Sequence, residues 1–292
     1  MSRTVTYTTG IQNLSTSQLP NNPIIRLAGT VPYPNPATPT IIANADTTPP
    51  IATYTVGKVE VSGTDTTPNY GFLDTLEAPV TIQHGLQVSD GTLWTDSNIG
   101  FTLDGRSVIS DGGSLITLGG RYHGSLVTLN GSLSVGDNST ADFTDAHLTG
   151  DGTVKTTAPS ATIDVRQTGG LVMGSNPSVT DTVHFDLTKG GTLNILSIDA
   201  PMSFVGQIRM GDNATVNINS QPPSGGSPDV VSEIWHTKTD VLDLLNAAGQ
   251  YVAQIGFAKG THELYAAPTS ATSVAVTTHW AAGDLPVAVA HS

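Results

Sequence analysis

Glycine recurs about every twenty residues through the centre of the chain, and a short apolar segment follows it. The recurring positions are Gly71, Gly91, Gly113, Gly131, Gly152, Gly170, Gly191 and Gly211. An apolar residue comes within two places of the glycine in all of them except Gly211, where it comes later. A fixed period of about 20 to 50 residues is typical of folds in which each repeat stacks on its neighbours. The spacing therefore predicts an all-β fold, a β-solenoid or parallel β-helix with about 20 residues per coil.

The segments between the glycines alternate apolar and polar residues, as a strand with one buried face does. The residues expected to point inward are Val80, Ile82, Leu86, Val88, Phe101, Leu103, Leu126, Leu129, Leu133, Val135, Phe143, Ile163, Val165, Leu193, Ile195, Ile208, Met210, Val216 and Ile218. Glycine, asparagine and aspartate would turn the corners, because they tolerate positive φ. An antiparallel β-sandwich or jelly roll also has short strands and frequent turns, and it is the alternative fold.

The chain divides by composition into four parts. Residues 1–50 carry eight prolines and are rich in Thr and Asn, which predicts an extended arm. This arm would either be disordered or pair with a sheet edge of its own or a neighbouring chain. Residues 51–220 would form the solenoid body and residues 221–228 a linker. Residues 229–292 would form a small β-hairpin or cap over the last coil, with a short helix at 239–248 as the alternative.

Charge and cysteine usage narrow the classes of function. The net charge is −13 with 11 basic residues, and no basic cluster is present for nucleic-acid phosphates or an anionic membrane surface. The chain has no cysteine, so disulfides and thiolate metal sites are ruled out. No apolar run reaches the roughly 20 residues of a membrane-spanning helix. The first residues do not resemble a signal peptide.

Two segments share a pattern in which a β segment ends in Gly-Asp-Asn and another begins two or three residues later. They run from Leu133 to Phe143 and from Ile208 to Ile218. This pattern resembles the degenerate repeats of bacterial β-helix surface proteins, including autotransporter passengers and haemagglutinin-type adhesins. The resemblance implies export and a location at the cell surface or in the extracellular matrix. It implies no particular ligand.

Carboxylate pairs are the first candidates for chemistry, since two carboxyl groups can act as acid and base on a glycan. The pairs are Asp142 with Asp145 and Asp104 with Asp111. The basic residues that would assist them are scattered, at Arg106, Arg121, Lys155, Arg166, Lys189 and Arg209. Aspartate is also a favoured turn residue. The sequence therefore predicts no catalytic residues and a protein that is not an enzyme.

Other candidates concern ligands and metals. His123 and His236 are the most suggestive histidines, although ordinary hydrogen-bonded surface histidines explain them as well. The side chains that could stack on sugar rings are Trp94, Trp235, Trp280 and Tyr122. Four oxygen donors, Asp137, Asn138, Asp142 and Asp145, could hold one calcium ion, and Asn138 and Asn213 match a glycosylation pattern that also suits a turn. None has the spacing of a known site, so no metal or cofactor is predicted.

These patterns favour a secreted structural or adhesive protein, a subunit of an extracellular fibre, surface layer or biofilm matrix. It would self-associate into a homo-oligomer or filament through its N-terminal arm and exposed sheet edges. The alternative is a carbohydrate-binding or carbohydrate-cleaving β-helix, either polysaccharide-active or of the phage tail type. A cell-surface glycan is accordingly the second candidate partner.

Overall fold

The computed structural model describes residues 4–14, 23–43, 54–74, 80–96, 101–143, 147–167, 183–197, 202–220, 232–236, 238–249, 251–258, 264–270, 273–277, 285–286 and 288–289. Their regular structure consists of strands, with no helix among the described residues. The chain forms two compact units, Met1–Asp142 with Ala146–Leu148, and Phe143–Asp145 with Thr149–Ser292.

The strands fall mainly into one unit or the other. Those of the first unit are β1 (Thr4–Tyr7), β2 (Ile11–Leu14), β3 (Ile24–Leu27), β4 (Thr40–Ala43), β5 (Tyr54–Val56), β6 (Lys58–Ser62), β7 (Asn69–Asp74), β8 (Val80–Ile82), β9 (Leu86–Ser89), β10 (Gly91–Asp96), β11 (Phe101–Ile109), β12 (Gly113–Thr117), β13 (Gly120–Leu129), β14 (Ser132–Val135) and most of β15 (Ser139–Phe143) and β16 (His147–Thr149). Those of the second unit are β17 (Thr153–Thr156), β18 (Thr162–Gln167), β19 (His184–Leu187), β20 (Gly191–Ser197), β21 (Met202–Met210), β22 (Ala214–Ser220), β23 (Ser232–His236), β24 (Val241–Leu245), β25 (Tyr251–Phe257), β26 (Tyr265–Ser270), β27 (Ser273–Thr277), β28 (Leu285–Pro286) and β29 (Ala288–Val289).

The first unit is a β-solenoid. Its first sheet has the order β1-β3-β6-β9-β11-β13-β15 and its second sheet the order β2-β4-β7-β10-β12-β14. Neighbouring strands in these orders are parallel. The chain passes from one sheet to the other and returns one strand further on, so each coil pairs with the next and shields its apolar interior. The parallel pairing confirms the solenoid over the sandwich.

Coil length varies more than the glycine period indicates. Gly91 is the register partner of Gly113, and Ser114 is that of Ser132, so two successive coils already differ in length. Ile24 is paired with Lys58, across a much longer stretch of chain. The regular glycine spacing therefore applies to the middle of the first unit, and the coils before it contain longer connections.

Residues 4–14 and 23–43 of the expected arm take part in this stack, as in the alternative in which the arm pairs with a sheet edge of its own chain. β1 pairs with β3 and β3 with β6, all in parallel. Ile25, Leu27 and Ile41 are buried in the core. The prolines of this region lie before strands or in connections, where they remove no ladder hydrogen bond. Short apolar segments between them are therefore free to pair.

The predicted inward residues are buried, with two exceptions. Leu126 is 44% exposed and Met210 is only half-buried. The pairing of β11 with β13 shifts register between Leu103 and Arg106, and beyond that point Val127 takes the inward place beside Leu126. A one-residue shift in a strand moves a side chain to the opposite face, and Leu126, three places before the buried Leu129, is on the outer face.

The second unit contains parallel strands followed by antiparallel ones. β17, β19 and β21 are parallel neighbours in one sheet, and β18, β20 and β22 in the other. β27 then pairs antiparallel with β22, and β24 pairs antiparallel with β25 and β23. This is the predicted β cap, and β24 is a strand where a helix at 239–248 was the alternative.

The expected linker, residues 221–228, lies outside the described residues. Among those described, no helix has the length and apolarity to cross a membrane.

Candidate functional site

The outer face of the second sheet in the first unit carries aligned rows of side chains. Because neighbouring coils are parallel and in register, outward residues at equal positions stand side by side. The aromatic row consists of Phe72 and Trp94, and the aliphatic Ile116 continues the row on β12. The hydroxyl row beside it consists of Thr92, Ser114 and Ser132. The acidic pair on the other side consists of Asp74 and Asp96.

Two tyrosines extend the aromatic row into a cluster. Tyr33, in the connection between β3 and β4, stacks on Phe72 with 4.4 Å between ring centroids and 5° between ring planes. Trp94 lies 6.1 Å from Tyr33 and 5.9 Å from Tyr70, centroid to centroid. Phe72 is buried under Tyr33, whereas Tyr33, Tyr70 and Trp94 are half-buried. Three aromatic rings therefore share one face of the sheet and keep part of their surface in solvent.

The Asp142 cluster lies on the first sheet of the same unit. His123 of β13 is the register partner of Asp142 of β15, and its Nδ1 lies 3.2 Å from Asp142 Oδ2. Arg121 Nε donates to the same oxygen at 3.0 Å, and the terminal guanidinium nitrogen of Arg121 contacts it as well. The Asp142 side chain is 4% exposed and that of Arg121 60%. Two cationic or proton-donating groups thus surround one buried carboxylate, which is an ion-pair cluster that also fixes the imidazole.

The Asp243 cluster is its counterpart on the cap of the second unit. His236 Nε2 lies 2.6 Å from Asp243 Oδ2, and Gln254 Nε2 donates to Asp243 Oδ1 at 2.9 Å. These side chains line a cleft of about 290 Å³ together with Thr239 and Val241. Asp243 is buried, and both of its oxygens accept hydrogen bonds within the cap. The arrangement ties β23, β24 and β25 together.

A small pocket of about 250 Å³ lies on the second unit, lined by Thr153, His184, Phe185, Asp186, Arg209 and Ala258. Lys155, Asp186 and Arg209 are register partners on three adjacent parallel strands. Asp186 Oδ1 accepts a hydrogen bond from the backbone N–H of Thr188 at 3.0 Å. Opposite charges therefore alternate across the strands, an arrangement that stabilises a sheet surface.

Carboxylates also approach one another at the corners of the first unit. Partial desolvation, a hydrogen bond to Asp65, and the charges of Asp65 and Asp111 raise the pKa of Asp90. Asp111 Oδ1 in turn accepts the backbone N–H of Gly112 at 3.0 Å. Among the described residues no group of three or more His, Asp or Glu side chains is arranged to hold a metal ion.

The structure separates several residues that the sequence grouped together. Asp104 is exposed on β11 and Asp111 lies in the turn that follows it. Asp145 and Trp280 lie outside the described residues. Asn138 and Asn213 have positive φ, 53° and 61°, and occupy the Gly-Asp-Asn corners as turn residues. The remaining basic candidates are dispersed, with Arg106, Lys189 and Arg209 exposed and Arg166 in β18.

The aromatic candidates have two different environments. Tyr122 is buried in the core, edge-on to Phe101 at 5.2 Å, and burial raises its pKa. Trp235 is buried in the cap, edge-on to Phe257 at 5.7 Å. Trp94 alone of the four sugar-stacking candidates is described on an outer face. Its neighbours in the cluster were missed, although Phe72, Trp94 and Ile116 each lie three places after the corner residues Asn69, Gly91 and Gly113.

Comparison of the chain with protein-family models, with curated proteins and with solved structures finds no match. The fold by itself therefore defines the class of the protein, a β-solenoid with a β cap. Its surface features are the aromatic cluster with the rows beside it, the two Asp–His clusters and the small pocket.

Proposed function

We propose that the protein is a secreted structural or adhesive subunit of an extracellular fibre, surface layer or biofilm matrix, and not an enzyme. The observation that carries the proposal is the first coil. β1 and β2 are the end strands of the described sheet orders of the first unit, and Ile11 of β2 is 64% exposed. An end strand that carries an exposed apolar side chain is a template for pairing with another chain.

The outer faces support a structural role as well. In the second unit Asn194 Nδ2 donates to Asp164 Oδ1 at 2.7 Å, and Asn217 Nδ2 donates to Asn194 Oδ1 at 2.8 Å. In the first unit Ser132 Oγ donates to Ser114 Oγ at 3.1 Å. These ladders join neighbouring coils through their side chains, in addition to the backbone pairing. Such ladders stiffen the stack mainly through hydroxyl and amide groups.

The two Asp–His clusters fit the same interpretation. Each buried carboxylate already accepts hydrogen bonds from side chains of neighbouring strands, in the Asp142 cluster from Arg121 and in the Asp243 cluster from Gln254. A carboxylate held in this way stabilises the sheet surface. We therefore assign both clusters to cross-strand stabilisation.

Sedimentation velocity and electron microscopy over a range of protein concentrations test the proposal. The wild-type chain should form oligomers or filaments, and Ile11→Lys should weaken association at least tenfold because it places a charge on the edge. Leu126→Lys is the matched control, since Leu126 is also exposed but lies on the outer face of a central strand, β13. A wild-type chain that remains monomeric, or equal effects of the two variants, would contradict the proposal.

A further inference from the structure

We infer that the outer face of the second sheet in the first unit binds an extended neutral glycan, whose sugar rings stack on the aromatic cluster. The inference deepens the adhesive function proposed above and rests on it, because it names the class of ligand that such an adhesin would hold. The site comprises the aromatic row, the hydroxyl row, the acidic pair and the two tyrosines Tyr33 and Tyr70.

The direction of the rows matches a linear polymer. The rows cross the strands, and neighbouring strands are about 4.8 Å apart. This rise per coil is close to the length of one sugar residue in an extended polysaccharide. A glycan lying along the row would therefore place successive sugars over Tyr33, which covers Phe72 of β7, over Trp94 of β10 and over Ile116 of β12.

Contacts within the protein hold Tyr33 in place before any ligand arrives. Phe72 supports Tyr33 from below in a nearly parallel stack. The connection that carries Tyr33 is held by its own hydrogen bonds, from Thr38 Oγ1 to the Val31 carbonyl at 2.9 Å and from the Ala37 N–H to Asn35 Oδ1 at 2.9 Å. A rigid aromatic surface loses little conformational entropy on binding. Tyrosine and tryptophan also combine an apolar face, suited to the C–H side of a sugar, with a polar group at the ring edge.

Polar groups on both sides of the aromatic row suit sugar hydroxyls. The side chains of Thr92, Ser114 and Ser132 can each donate and accept hydrogen bonds, and the carboxylates of Asp74 and Asp96 are acceptors with several lone pairs. A sugar ring on Trp94 would thus have hydroxyl partners along one edge and carboxylates along the other. This combination of an apolar centre with a few polar groups is typical of small-molecule sites.

Charge selects the type of glycan. The acidic pair lies beside the aromatic row, and the chain as a whole has a net charge of −13. A polysaccharide of uronic acids would be repelled by both. A neutral glycan is not repelled in this way, and its hydroxyl groups can still donate hydrogen bonds to the carboxylates.

Isothermal titration calorimetry on the full chain tests the inference, with cellohexaose as the neutral extended probe and an oligogalacturonate of equal length as the charged one. We expect saturable binding of cellohexaose and at least tenfold weaker binding of the oligogalacturonate. Trp94→Ala should weaken cellohexaose binding at least tenfold, and Trp94→Phe should retain most of it. Leu126→Ala, which removes an exposed apolar side chain from the other sheet, is the control and should bind as the wild type does.

Several outcomes would overturn the inference. They are an absence of cellohexaose binding, equal or tighter binding of the oligogalacturonate, or cellohexaose binding that Trp94→Ala leaves unchanged. In the last case the aromatic cluster would serve only to fasten the connection between β3 and β4. The same titration on Ile11→Lys separates this inference from self-association, because binding should persist when assembly is lost. Wild-type protein that assembles without binding cellohexaose would overturn the glycan site alone.

Discussion

Glu60 on the first sheet shows how a single side chain links coils that are distant in sequence. Arg26 of β3 donates to Glu60 Oε2 at 2.9 Å, and Lys58 donates to Glu60 Oε1 at 2.9 Å. Burial alone would raise the pKa of Glu60, but the hydrogen bonds and charges of Lys58 and Arg26 outweigh it and lower the pKa from its ordinary value of 4.5. The folded state therefore favours the ionised carboxylate.

This lowered pKa predicts a pH-dependent effect of Glu60→Gln. A carboxyl group with a lowered pKa adds stability above its unfolded pKa, and this contribution is lost as the pH falls through the folded pKa. The variant should therefore be less stable than the wild type at neutral pH, by about 0.5–1 kcal/mol for an ion pair near the surface. Urea unfolding at neutral pH and at about pH 3 measures the change. A loss of the same size at both pH values would contradict the assigned cause.

Sequence patterns predicted burial well for single residues and chemistry less well. Leu133, Val135, Ile163 and Val165 are buried as expected, since period-two alternation reports directly on the two faces of a strand. The partners of Asp142 could not be read in the same way. They come from β13, in the neighbouring coil, and only the register brings them to one carboxylate.

At the level of the strand and its corner, glycine is required by the approach of the neighbouring coil. A Cβ built on Gly91 would lie 2.3 Å from the carbonyl oxygen of Asn69, and one built on Gly131 would lie 2.2 Å from that of Gly113. Neither glycine has positive φ. The cause is therefore steric, because at these two corners the neighbouring backbone leaves no room for a Cβ.

The contacts predict that Gly131→Ala is strongly destabilising. A Cβ against backbone atoms cannot be relieved by a rotamer change, and the expected loss is about 3 kcal/mol, at the upper end of overpacking effects. Gly249→Ala is the matched control, since no atom lies within 4 Å of a Cβ there and only its φ of 72° opposes the change. It should cost about 1 kcal/mol. Thermal unfolding of both variants tests the steric cause. Equal losses of stability in Gly131→Ala and Gly249→Ala would contradict it.

The corner glycines also show where the period of about 20 residues, which predicted the fold, no longer holds. Gly91, Gly113 and Gly131 follow one another at successive corners, as the repeat implied. Gly71 is out of step, because it is the register partner of Leu93 and Asn69 that of Gly91. Asparagine can replace glycine at a corner, so a period read from glycine alone misplaces that coil. Connections of variable length, such as that between β3 and β6, leave no periodic trace at all.

On the scale of the molecule, a repeated sequence pattern determines the architecture. Each coil contributes a few inward aliphatic residues and a corner, and the stack follows because one coil cannot bury its own interior. Function is not repeated in this way. The aromatic cluster combines Phe72 and Trp94 at one register position of two strands, Tyr70 at another and Tyr33 from a connection, so no single segment of sequence displays it.

Parallel, in-register stacking is the claim on which both proposals depend, because it creates the edge strands and the outward rows. The chain has no cysteine, so pairs of nitroxide labels can be attached at cysteines introduced for Thr92, Ser114 and Ser132. Continuous-wave electron paramagnetic resonance then reports the dipolar broadening of each pair. Labels at positions 92 and 114, about 5 Å apart along the backbone stack, should broaden more strongly than labels at 92 and 132, about 10 Å apart. Absence of broadening at 92 and 114, or the reverse order, would contradict the stacked coils.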